Sequence, residues 1–307
     1  MAGQDGCVSN IDRMAATIRH ASSLRRARGC DASRMGERSI DGADVTLAAS
    51  DDGDGIPVVL LHGLGARRRY VVMGSKSLQR AGHRVIAYDA RGHGASSPAP
   101  SPAAYGYDKL SADLLALLDE LEIERAVLAG SSMGAHTSLR LALDVPERVA
   151  GLVVITPAYD PVGFDSEERL RRYDTLASAL RDGGVEGYLA AYDAQRLPEG
   201  LRESVAAFVR QSMARHEHPG AVADALRAVS RSRPFDDLHA LELIECPAVV
   251  VASRDEADPG HPFALGETYA ELLPAGRLVV EEQGRSPLAW QGGRLSKVIA
   301  ELAKDAW

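Results

Sequence analysis

Short, continuous apolar runs alternate with stretches of helical spacing along most of this chain, and that alternation leaves few folds open. Pro57-Val58-Val59-Leu60-Leu61 and Arg84-Val85-Ile86-Ala87-Tyr88 are runs of this kind, and 126–129, 151–156, 247–252 and 277–281 follow. A strand buried on both faces reads this way because neither face meets water. Leucines at 110, 114, 117, 118 and 121 recur at helical spacing, and further helices are expected from about Met133 and over 263–272 and 294–304. Val45-Thr46-Leu47-Ala48, after a turn at Asp41-Gly42, reads as a hairpin strand. Together these predict an α/β fold, a mostly parallel twisted sheet with helices on both faces.

The interval 160–236 interrupts the pattern. It holds helical stretches at 166–181 and 201–215 and no strong strand candidate. Helices inserted between two core strands emerge at the carboxyl ends of the sheet, where pockets lie, so 160–236 is expected to be a helical cap. The core would then comprise 35–159 and 237–307. Residues 1–34 are rich in arginine, carry no apolar signal-like stretch, and read as a disordered tail; a start of translation at Met35 is an alternative.

Composition excludes several classes of function. A net charge of −8 over 307 residues argues against nucleic acid or an anionic membrane as the main partner. No apolar run approaches the roughly 20 residues of a membrane helix. Cys7, Cys30 and Cys246 are odd in number and far apart, matching neither a disulfide framework nor a zinc site, which favours a cytoplasmic protein. The histidines and acids lack metal-ligand spacing, and His62-Gly63-Leu64-Gly65 has no third glycine in the register of a dinucleotide fingerprint. No metal and no organic cofactor are expected, and the partner is a small-molecule substrate.

The chemistry concentrates at strand ends. Gly130-Ser131-Ser132-Met133-Gly134 fits G-x-S-x-G and falls between a strand-like run and a helix. A serine that attacks a carbonyl must stand clear of the sheet. A tight strand-to-helix turn achieves this, and flanking glycines tolerate the strained backbone. The helix also aims its N-terminus at the site, favouring negative charge that develops there. Upstream, the glycine-rich turn His62-Gly63-Leu64-Gly65 can bring the Leu64 N–H toward Ser132, to form an oxyanion hole with the N–H of Met133.

These two motifs, with Asp89-Ala90-Arg91-Gly92-His93-Gly94-Ala95-Ser96, resemble the α/β-hydrolase superfamily over about residues 38–304, especially its small esterase-, lactonase- and haloperoxidase-like members. The resemblance implies Ser132 as nucleophile and an acid after the strand at 247–252. Asp258, with Pro262 four residues on and a helix following, fits the family's register, and Asp255 is the alternative; Asp160 is a third, weaker candidate. His62 and His93 would be structural. The family's histidine after the last strand is missing, for Gly284 is followed by Arg285, and a guanidinium cannot act as a base at neutral pH. Arg285 is expected to pair with Asp258 or a neighbouring acid. His261, beside the acid loop, is the candidate displaced base, with His216 and His218 as other possibilities. Two functions follow: a serine hydrolase of a small ester, lactone or related acyl compound, or a binding protein on the same fold with impaired catalysis.

Overall fold

The computed structural model describes residues 36–192, 197–254 and 260–307. The acids Asp255 and Asp258 and the tail at 1–34 lie outside them. In chain order the strands are β1 Gly36–Asp41, β2 Thr46–Asp52, β3 Ile56–Leu61, β4 His83–Tyr88, β5 Ala126–Ser131, β6 Val149–Ile155, β7 Ala248–Ala252 and β8 Gly276–Val280. Helices α1 Tyr107–Glu120 and α2 Met133–Asp144 flank β5 in sequence. Then α3 Glu167–Ala191, α4 Glu199–Met213 and α5 Pro219–Val229 come between β6 and β7, and α6 Phe263–Leu272 and α7 Gly292–Asp305 close the chain.

Among the described residues the strands form one sheet in the order β1-β2-β4-β3-β5-β6-β7-β8. Only the first two pairings are antiparallel; β4, β3, β5, β6, β7 and β8 run parallel. Burial follows position in the sheet. Every residue of central β6 and β7 is buried, whereas edge strand β1 alternates between half-buried and exposed until Ile40. Central strands must therefore be apolar throughout, which is why their runs are so legible.

Two apolar layers cover the faces. One packs α1 and α2 side chains such as Leu114, Leu118, Leu139 and Ala135 on Val59, Ile86, Leu128 and Val154. The other packs Leu295, Ile299 and Leu302 of α7 on Val58, Val127, Val153 and Val249. Leu295, Ile299 and Leu302 stand four and then three residues apart, on one stripe of the helix. A fully buried ion pair ties α1 to the loop after β4: Arg91 Nε and Nη2 donate to both Asp113 oxygens at 2.7 and 2.8 Å.

The insertion carries more helix than its sequence suggests. Alongside α3 and α4 there is α5, and α3 is broken at Gly184, whose φ of 59° only glycine adopts readily. These helices form their own apolar cluster, with Leu176, Leu180, Tyr188, Met213, Val222 and Leu226, and Leu64 packs against it. The insertion thus leans on the turn after β3. A side chain at Gly65, which has φ +72°, would meet Met213 Cε at 2.7 Å.

Candidate active site

Parallel order brings the loops after β3, β5 and β7 to one rim of the sheet, beside the switch point where β3 lies between β4 and β5. Ser132 stands there, between β5 and α2, with φ 50° and ψ −110°. A non-glycine residue in that region costs about 1–3 kcal/mol and persists only when its surroundings impose it. Here they do. The Ser132 N–H donates to Ile155 O at 2.9 Å, and its carbonyl accepts from His136 N–H at 3.1 Å. The flanking glycines let helix and sheet approach: a Cβ at Gly130 would lie 2.3 Å from the Gly134 carbonyl, and one at Gly134 2.3 Å from Leu61 O.

His261 Nε2 lies 2.9 Å from Ser132 Oγ. The imidazole comes from the segment between β7 and α6 and is half-buried. Arg285 stands elsewhere: among the described residues its Nε pairs with Glu282 Oε2 at 3.7 Å, both side chains about two-thirds exposed (66% and 65%). The loop after β8 is instead tied to the loop after β7 by buried Glu281, which accepts from Arg254 N–H at 2.8 Å.

The remaining histidines divide by hydrogen bonding. His62 Nε2 accepts from Ala90 N–H at 2.9 Å, so its proton sits on Nδ1 and is donated to Gly63 O at 2.8 Å. His93 Nε2 accepts from Gly65 N–H at 3.2 Å while Nδ1 donates to Arg91 O at 3.0 Å. His216 Nδ1 accepts from Gly94 N–H at 2.8 Å and Nε2 donates to Gly65 O at 3.1 Å. The three rings lie in a row, the first pair tilted at 55° and the second edge-on at 75°, with centroids 5.1 and 5.6 Å apart. Burial holds all three neutral, lowering His62 from the ordinary 6.5 to about 4 and the other two as well. His216 is therefore a brace between the insertion and the turn after β3. His218 borders a separate cavity, near Pro98 and Tyr105.

His136 is the histidine on α2, the helix that follows the elbow. It is buried one turn beyond Ser132 and lines the cavity in front of it. Its Nε2 accepts from the N–H groups of Ala158 and Tyr159 at 3.3 and 3.2 Å, which puts its proton on Nδ1, facing Tyr107 Oη at 3.3 Å. Burial lowers its pKa to about 3. Tyr107, made less acidic by burial, lines the same cavity.

Ser132 opens on two adjoining cavities of about 470 and 380 Å³, which share Leu64, Ser132, Ala158, Arg172, Tyr173 and Gly260 in their walls. Met133 lines the larger, and His261 and Trp290 the smaller. Arg169, Arg172, Tyr107 and Trp290 went unremarked in the sequence. Each sits in a helix or turn whose pattern is explained by packing alone, and only their convergence marks them. Among the described residues no group of three or more His, Cys, Asp and Glu is arranged to hold a metal ion, and no helix is long and apolar enough to cross a membrane.

Comparison with known proteins adds four findings. The family described as alpha/beta hydrolase fold matches residues 56–239. A relative from Variovorax paradoxus (strain S110), named "Putative carbamate hydrolase RutD", is 32% identical over 216 residues, spanning 66% of this chain and 75% of its own. A thermophilic esterase from Thermogutta terrifontis superposes with a TM-score of 0.73 at 26% identity, over 88% of this chain and 99% of that one. The enol-lactonase from Burkholderia xenovorans LB400 shares the fold, with a TM-score of 0.67 at 22% identity over 88% of this chain and 100% of that one.

Proposed function

This chain belongs to the alpha/beta hydrolase fold family, and on that basis we propose that it is a serine hydrolase acting on a small ester, lactone or related acyl compound. The observation that carries the reading is the 2.9 Å approach of His261 Nε2 to Ser132 Oγ. Nucleophile and base at that separation form the minimal unit for acyl transfer. The carbamate in the RutD relatives' name belongs to the same class of acyl chemistry.

Ser132 Oγ attacks the carbonyl carbon as its proton passes to His261 Nε2. The oxyanion is held by the backbone N–H groups of Leu64 and Met133, helped by the N-terminus of α2. The imidazolium protonates the leaving group, which departs and leaves an acyl-enzyme. His261 then takes a proton from water, whose oxygen attacks the acyl carbon and frees the acid and Ser132. Asp258 orients the imidazole, with Asp255 the alternative. Residues 160–236 act as the cap that closes the cavities over the substrate, and the protein works in the cytoplasm without cofactor.

A fluorophosphonate probe tests the nucleophile. It should label wild type at Ser132, and Ser132→Ala should lose both labelling and hydrolysis of an activated short-chain aryl ester with its melting temperature nearly unchanged. Undiminished hydrolysis by Ser132→Ala would sink the serine mechanism. Absence of labelling and of turnover in wild type would favour a binding protein.

A further inference from the structure

The two cavities that meet at Ser132 differ in their linings: Arg172 lies in the walls of both, and Arg169 lines the larger alone. The larger carries two guanidinium groups in its wall, Arg169 and Arg172, three residues apart on α3. Like charges at that spacing share a helix face and repel. Arg169 is half-buried and anchored, with Nη1 donating to Phe164 O at 2.9 Å and Ser230 O at 2.8 Å and its plane 4.2 Å from the Phe164 ring centroid. Burial, and to a lesser degree the neighbouring charge of Arg172, lowers its pKa from the ordinary value. Arg172 is exposed, lines both cavities and lies beside Tyr173.

Among the described residues neither arginine has a carboxylate partner. Asp165, whose field reaches Arg169, is itself bonded to Arg233. Asp160, the carboxylate in the cavity wall, accepts from Val162 N–H at 2.8 Å and pairs with neither. Two cations that repel, one of them partly stripped of water, are stabilised by a bound anion, and a planar guanidinium suits a carboxylate best. The smaller cavity is lined by Leu176, Leu197, Val205, Phe208, Met213 and Trp290, among others. It shares Ser132 and Arg172 with the larger cavity and adds this apolar surface beside them.

We infer that the substrate is an amphiphilic acyl compound, with a carboxylate held by Arg172 and Arg169 on one side of the bond that Ser132 attacks and an apolar group on the other. This rests on the serine hydrolase reading and narrows its substrate class.

Matched ester pairs that differ only in charge test it. One pair is 4-nitrophenyl hydrogen glutarate and its methyl ester, with the charge on the acyl side. The other is 4-carboxyphenyl hexanoate and its methyl ester, with the charge on the leaving side. Wild type should prefer the acid member of at least one pair by about tenfold or more in kcat/KM. That ratio should fall toward unity in Arg172→Gln and recover in part in Arg172→Lys. A wild-type ratio near or below unity in both pairs, or one that survives Arg172→Gln, overturns the inference. If no ester is hydrolysed, the hydrolase reading fails separately and the anion site is judged by calorimetric titration of glutarate. Binding that disappears in Arg172→Gln supports the site, and absence of binding to wild type overturns it.

Discussion

A base is defined by where its nitrogen sits, and the proposed mechanism gives that role to His261, which precedes α6. Its Nε2 is 2.9 Å from Ser132 Oγ, within the 2.6–3.2 Å window for proton transfer, whereas Arg285 at the end of β8 pairs with Glu282 at the surface. The two positions can be set against each other. His261→Ala should lower kcat/KM on an activated ester by roughly 10³-fold or more, in keeping with loss of the base from a catalytic triad. Arg285→His should leave turnover nearly unchanged, because an exposed rim residue has no path to the serine. Steady-state kinetics of both variants decides it: a harmless His261→Ala with an activated Arg285→His would return the role to the loop after β8.

At the level of elements, the turn after β3 is held from three sides. His62 and His93 fasten it to the loop after β4, and His216 fastens it to the end of α4, with Glu217 N–H also donating to Gly94 O at 2.9 Å. On the proposed mechanism, an insertion that grips the turn carrying Leu64 would help set the direction of the Leu64 N–H. In His216→Ala, Gly94 N–H loses its partner while remaining buried, which costs about 1–3 kcal/mol, and Gly65 O keeps only Ser212 Oγ, at 3.3 Å. Chemical denaturation should show that loss. Activity on a small neutral ester should fall through kcat more than KM, since an oxyanion donor acts on the transition state. An unaltered kcat would mean the turn holds its shape without the brace.

For the whole molecule, the buried neutral imidazoles link stability to pH. His62 is lowered to about 4 and His136 to about 3, and His93 and His216 are lowered too, all mainly through burial. Each takes up a proton on unfolding whenever the pH lies between its folded and unfolded values, so the unfolded chain binds more protons there. The stabilisation is complete above the unfolded value of 6.5 and is lost as pH falls toward 4. Unfolding free energy from urea titrations should therefore rise with pH over that window, by up to about 1.4 kcal/mol per pH unit for each of His62 and His136, with His93 and His216 acting in the same direction. A flat profile between pH 4 and 6.5 would contradict the buried, neutral state of these rings.

What the sequence determined by itself was local. Apolar runs with no polar face could only be central strands, and their alternation with amphipathic segments set the mostly parallel sense of the sheet, while the strand order came from the tertiary structure. The elbow was equally legible, because Gly130 and Gly134 are required by backbone approach within a single strand-turn-helix unit. The third inserted helix, Pro219–Val229, was missed, since its small residues and leading proline weaken the periodic signal. Tertiary structure alone decided which imidazole meets Ser132, for the partner is 129 residues away and four other histidines lay in or near candidate motifs. It also decided that Arg169 and Arg172 share a cavity with that serine. Helix and strand periods are written in neighbouring residues through sterics and burial, whereas the meeting of distant side chains depends on where folded loops end.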